Sequence, residues 1–190
     1  MSELSFVGLV LLVAVQRAFE LRTSARNEAA LRARGAREHA PGQMAWMKVV
    51  HAGWLFAMPL EVLLLERAFS PWLAAIALAV FAAGQGLRYA AMRALGDRWC
   101  VRVMTLEGTP PVTGGVFRWM RHPNYLGVIL ELAALPLVHG AWITSAVASA
   151  ANAVLLARRI RAEESALEAA GGYRRLLGDR PRLWPRAQGG

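Results

Sequence analysis

The sequence predicts an all-α, polytopic integral membrane protein, and three observations carry that prediction. Of 190 residues, 56% are hydrophobic and 18% charged, against roughly 45–50% and about 25% in an ordinary soluble protein. The apolar residues gather in stretches on the scale of a bilayer crossing, which needs about 20 residues. The basic excess, 22 Lys and Arg against 13 Asp and Glu for a net charge of +9, falls mainly between those stretches. About five transmembrane helices are expected, the last two forming a tight hairpin. Such a chain leaves too little length for a separate soluble domain, so residues 1–190 read as one membrane domain. The hydrophobicity excludes disorder, and a lone cysteine, Cys100, excludes a disulfide scaffold.

The first apolar stretch covers about 4–19. It lacks a basic start and a small-residue cleavage site, and Glu3 stands where a signal peptide carries positive charge, so it reads as a retained helix. The second, about 45–65, is interrupted by Lys48, His51, Pro59 and Glu61. Pro71 opens the third, about 71–92. Pro123 opens the fourth, about 123–138, because proline fits the first helical position, where its missing N–H costs nothing. A His139-Gly140 turn leads into the fifth, about 141–157. The last two are short for full spans, hence the hairpin. A cytoplasmic helix and tail follow over 158–190.

Apart from Arg17, Lys48 and Arg67, every basic residue lies in one of three segments: Arg22–Arg37, Arg88–Arg121 and Arg158–Arg186. These alternate with the spans, as the positive-inside rule requires. The N-terminus is expected outside and the C-terminus in the cytoplasm of a bacterial inner membrane. The arginines follow sidedness rather than one face of a soluble fold, so no nucleic-acid partner is expected.

The densest polar segment is Val112-Thr-Gly-Gly-Val-Phe-Arg-Trp-Met-Arg121-His122-Pro123-Asn124-Tyr125-Leu126-Gly127. Pro123 starts a helix and makes His122 its N-cap. Free N–H groups and the positive end of the dipole predict an anion site there, with Arg121 beside it. Gly127 is expected to let a ligand approach the helix closely. The second segment is Arg158-Arg-Ile-Arg-Ala-Glu163-Glu164-Ser-Ala-Leu167. At helical spacing Leu156, Ile160, Glu163 and Leu167 share a face. Ala157, Arg161, Glu164 and Glu168 share another that looks solvated. A carboxylate on an apolar face needs a positive partner, and Arg159 stands one turn before Glu163.

His51, Glu61, Gln85, Arg88 and Glu131 lie within spans, where ionisable groups are functional candidates. Glu131, one turn beyond Gly127, is expected to face the same cavity. An interhelical hydrogen bond is an equally good use for His51, and the roles of Glu61 and Glu131 stay open. No Cys/His cluster supports a metal. No phosphate loop, dinucleotide-binding glycine pattern or nucleophile elbow is present. Gly84-Gln-Gly86 reads as close helix packing.

Arg121–Gly127 (RHPNYLG), preceded by Gly114 and Phe117 and followed by Arg159–Glu164 (RIRAEE), Leu167 and Tyr173, resembles the pattern of isoprenylcysteine carboxyl methyltransferases over about 95–185. Leu176 departs from it, standing where the family often has a second tyrosine. Gln16–Leu21, Ala25–Glu28, Arg34–Glu38 and Gly127–Trp142 further resemble a bacterial subgroup encoded beside type III polyketide synthases, though His39-Ala-Pro replaces that subgroup's usual His-Tyr.

The resemblance implies S-adenosylmethionine-dependent O-methylation of a lipophilic small molecule. The substrate would be an isoprenylcysteine-like carboxylate or the hydroxyl of an alkylpyrone or alkylresorcinol, with membrane lipids as surroundings. It implies Arg121 and Glu163 as catalytic residues. His122, Asn124, Tyr125, Gly127, Arg159, Glu164 and Tyr173 would be cofactor contacts. A sterol-type NADPH-dependent reductase and a non-catalytic scaffold are the alternatives. Of the two glutamates, Glu163 is expected to be the more sensitive.

Overall fold

The computed structural model describes residues 1–184; Arg186 and the rest of 185–190 lie outside the described residues. The described residues are mostly helical. The helices are α1 (Glu3–Ala33), α2 (Gln43–Leu64), α3 (Pro71–Leu95), α4 (Pro123–Leu137), α5 (Trp142–Gly171) and a short α6 (Tyr173–Leu177). Two three-residue strands, β1 (Arg37–His39) and β2 (Val103–Thr105), pair antiparallel with Arg37 opposite Thr105. The sequence did not predict them. They clip the α1–α2 loop to the α3–α4 segment at the arginine-rich end.

Local chemistry sets the helix ends. The Ser2 hydroxyl accepts from the Ser5 N–H at 3.2 Å and caps α1. Ser70 caps α3, with Pro71 in its first turn. Gly172, at φ +70°, ends α5 in the left-handed region that glycine adopts without steric cost. Two boundaries differ from expectation. α1 continues through Ala33, well past Phe19, and α5 runs unbroken from Trp142 to Gly171 instead of stopping near Ala157. Neither junction contains a proline or glycine, so nothing interrupts the backbone ladder where the composition turns polar.

α1, α2 and α3 are each long and apolar enough to cross a membrane, and α4 is a shorter apolar helix. α4 is the innermost element. Val128, Leu132, Leu135 and Val138 pack with Phe6 and Val10 of α1, Trp54 and Met58 of α2, and Ala77 and Phe81 of α3. Leu11, Leu12, Phe56, Leu60, Trp72, Ile76 and Val147 point outward and stay exposed. That apolar exterior is what a lipid-facing surface requires.

Two glycines let α3 and α4 touch. A Cβ on Gly127 would lie 2.5 Å from Arg88 Cγ and 2.7 Å from the Gly84 carbonyl; one on Gly84 would lie 2.9 Å from the Gly127 carbonyl. Gly84 is therefore a packing glycine, as expected. Gly86 meets nothing within 4 Å. The close approach at Gly127 is to α3 rather than to a ligand.

At the end away from the arginines, Glu61 settles its open role. Its carboxylate accepts from the Ile143 N–H (3.1 Å), the Thr144 N–H (2.7 Å) and the Thr144 hydroxyl (2.8 Å), and pairs with Arg67 at 2.8 Å. A side chain of α2 thus satisfies the free N–H groups that open α5. Glu131 is likewise structural in position. It is fully buried and closes a ring with Arg17 and Glu20 of α1 and Arg88 of α3. The two arginines and two carboxylates neutralise one another inside the bundle, as buried charge demands.

Candidate active site

The principal cavity, about 510 Å³, lies at the arginine-rich end. Its walls come from α1, α2, Arg88 of α3, the 95–112 segment, the start of α4, the second half of α5 and α6. Arg121, His122, Asn124, Tyr125, Arg159, Glu163 and Tyr173 all line it. Glu131 and Gly127 do not appear in its wall, which corrects the expectation that Glu131 faces it.

Two hydrogen-bonded clusters organise the polar side. The first centres on Glu164. It pairs with Arg121 Nη1 at 3.2 Å, accepts from His122 Nε2 at 3.1 Å, and accepts from Arg182 Nη2 at 2.7 Å and Nε at 3.0 Å. Glu164 is thus held by three partners instead of facing solvent. The helix phase places it on an outer face, but the returning tail covers that face. Burial opposes its charge; hydrogen bonds from His122 and Arg182 and the nearby His122 and Arg121 charges outweigh this and hold its carboxyl at about 2. The Tyr173 hydroxyl lies 3.3 Å from His122 Nε2. Burial first, and the Glu164 charge second, push that phenol well above its ordinary value.

The second cluster corrects a pairing. Arg159 does not reach Glu163 directly. Its Nε donates to the Tyr125 hydroxyl at 2.8 Å, and its Nη2 donates to the Val101 carbonyl at 2.5 Å. The Tyr125 hydroxyl donates in turn to Glu163. The phenol therefore relays between guanidinium and carboxylate, and ties α4 to α5. The His122 and Tyr125 rings stack with centroids 5.3 Å apart.

The start of α4 offers fewer free donors than the sequence implies, because Tyr125 and Leu126 N–H both bond to the His122 carbonyl at 3.1 Å. The tail returns here: Arg121 N–H donates to the Pro181 carbonyl and His122 N–H to the Arg182 carbonyl, each at 2.9 Å. Arg182 is a residue the sequence reading did not single out. Its only signal was its place among the tail arginines, and long-range folding alone brings it to Glu164. Four buried polar atoms of cavity-wall residues lack a hydrogen-bond partner among the described residues: Arg17 Nε, Arg88 Nε, Arg121 Nε and Asn124 Oδ1. The last two are free to serve a ligand.

The profile of the isoprenylcysteine carboxyl methyltransferase (ICMT) family matches residues 75–169. An uncharacterized protein of Bacillus subtilis, YpbQ, is 37% identical over 84% of this chain and 95% of its own length. An uncharacterized protein of Haemophilus influenzae is 30% identical over 80% of this chain and 88% of its own. Among solved structures, a eukaryotic intramembrane Ras methyltransferase ICMT matches 70% of this chain at 23% identity and a TM-score of 0.47. This chain spans about half of it, 47%. The matched segment runs from α3 through the Arg121–Tyr125 and Arg159–Glu164 clusters, so the chain belongs to the ICMT family of membrane methyltransferases.

Proposed function

We propose that the protein is an S-adenosylmethionine-dependent O-methyltransferase that acts in a bacterial inner membrane on a lipophilic oxygen nucleophile. The site opens toward the cytoplasm and the N-terminus lies outside. One observation carries the reading: a single chamber joins a polar wall, built by Arg121, Asn124, Tyr125, Glu163 and Tyr173, to an apolar wall of membrane helices that includes Ala14, Ala18, Leu21, Met47 and Leu55. Its volume, about 510 Å³, falls within the roughly 300–1,000 Å³ usual for small-molecule sites.

The residues present fit the cofactor. Arg121 Nε is an unpaired buried donor suited to a carboxylate, and Asn124 Oδ1 an unpaired buried acceptor suited to an ammonium. Glu163 and the Tyr125 ring offer negative charge and π-surface to a sulfonium. When bound, S-adenosylmethionine supplies an electrophilic methyl group. The protein's own tasks are to hold the acceptor oxygen in line and to exclude water. The tail, fixed across Arg121 and His122 by its backbone bonds, covers the polar side.

The finer substrate reading is an alkylpyrone or alkylresorcinol hydroxyl, with an isoprenylcysteine-like carboxylate as the competing acceptor. Arg121, the cation a carboxylate would use, pairs with Glu164 through Nη1 and offers its Nε to the cofactor, which favours the hydroxyl. Membranes incubated with methyl-labelled S-adenosylmethionine and candidate lipids should yield a labelled lipid ether. Purified protein should be stabilised by S-adenosylhomocysteine, by about 2.7 kcal/mol at a hundredfold excess over Kd, and not by NADP. Stabilisation by NADP alone would support the reductase reading, and stabilisation by neither would support a scaffold.

A further inference from the structure

His51 lies on α2, in the wall of the chamber that holds Arg121 and Glu163. Its Nδ1 is 2.8 Å from the Met47 carbonyl of its own helix. A carbonyl can only accept, so Nδ1 carries a proton, and in a neutral imidazole Nε2 is then the lone-pair acceptor. The bond stays within one helix, so His51 is not the interhelical tie considered from the sequence. Nε2 has no hydrogen-bond partner among the described residues.

Of the other acid–base side chains on this wall, Lys48 is a donor-only ammonium and Cys100 donates to the Arg102 carbonyl. Glu163 accepts from Tyr125 through one oxygen, and Glu20 is held by Arg17 and Arg88. His122 Nε2 serves Glu164, with Tyr173 beside it. Asn124 Oδ1 is free, but an amide oxygen is a negligible base. Among the described residues, His51 Nε2 is thus an uncharged imidazole nitrogen of this wall left open to a ligand. A lone pair in a wall that also holds Met47, Trp54 and Leu55 calls for a donor. A hydroxyl supplies one, whereas a carboxylate has no hydrogen to give.

We infer that His51 is the base that removes the proton from the substrate's hydroxyl. This rests on the methyl-transfer reading above and deepens it by assigning a catalytic residue. The substrate O–H bond breaks and its proton passes to Nε2. The oxygen electron pair forms the new O–CH₃ bond, while the electron pair of the broken C–S bond stays on sulfur. The imidazolium then gives its proton to water.

The test uses full-length protein in detergent, with pentadecylresorcinol and its dimethyl ether as probes. In calorimetry without cofactor, wild type should bind the resorcinol about tenfold more tightly than the ether, the size of one hydrogen bond. His51→Phe should bind both alike. Equal affinity of wild type for the two probes overturns the inference, and this arm holds even if a variant fails to fold. In turnover, His51→Gln should methylate the resorcinol at least about a hundredfold more slowly, the lower end of general-base effects. Its affinity for S-adenosylhomocysteine should match wild type. Wild-type turnover by His51→Gln overturns the inference. Failure of wild type to bind S-adenosylhomocysteine defeats the methyl-transfer reading instead, and the probe-binding arm separates the two failures.

Discussion

Glu163 and Glu164 are adjacent in sequence and have different partners. Among the described residues Glu163 accepts only from the Tyr125 hydroxyl and lines the chamber, whereas Glu164 organises Arg121, His122 and Arg182. Arg121→Ala and Glu163→Ala should each abolish methyl transfer while the protein still elutes as a folded species in detergent. Wild-type methylation by both would remove the site assignment. Glu164→Ala should act on stability as well, since a charge-assisted network is lost. Its pH signature follows from a carboxyl held at about 2. A folded-state value depressed below the ordinary 4.5 gives stability that is present above pH 4.5 and is lost as pH falls toward 2. Melting temperatures recorded between pH 5 and 3 should therefore drop more steeply for wild type than for Glu164→Gln. Parallel curves would show that the cluster does not contribute to folding.

Helix contacts explain two glycines that sequence alone cannot rank. A methyl group at Gly127 would sit 2.5 Å from Arg88 Cγ and 2.7 Å from a backbone carbonyl, and a rigid helix pair cannot yield there without separating. Gly127→Ala should cost about 1–3 kcal/mol, the usual penalty for overpacking. Gly86→Ala, with nothing within 4 Å, should be neutral or slightly stabilising. Thermal melts of the two variants in one detergent make the comparison, and equal melting temperatures would mean that α3 and α4 are not packed as described. The same scale explains Glu61. Its carboxylate lies in one helix and serves the first turn of another, so its role is invisible in either helix alone.

The whole bundle has two chemically distinct ends. Glu61, Arg67, the Gly140 turn and the start of α5 meet at one. β1, β2, the start of α4, α6 and the returning tail meet at the other. The basic segments converge on the second end, where the chamber lies. If the positive-inside rule governs insertion, a fluorescent protein fused after residue 190 should mature and fluoresce, and alkaline phosphatase fused there should be inactive. The reverse pattern would place the chamber on the opposite side of the membrane.

The sequence by itself determined the helical membrane class, the Pro71 and Pro123 helix starts, the hairpin at Gly140 and the two motifs that meet in the chamber. These are local properties: apolar run length, proline geometry and helical phase act over a few turns and can be counted along the chain. Only the tertiary structure decided what each polar side chain faces. Arg159 is one turn from Glu163, yet it reaches that carboxylate through a tyrosine contributed by α4. Glu164 lies on an outer face of its helix, yet it is covered by Arg182 of the returning tail. Glu131 follows the motif helix, yet its charge is neutralised by Arg17 and Arg88 from two other helices. A buried charge takes its partner from whatever element packs against it, and sequence spacing does not encode that distance.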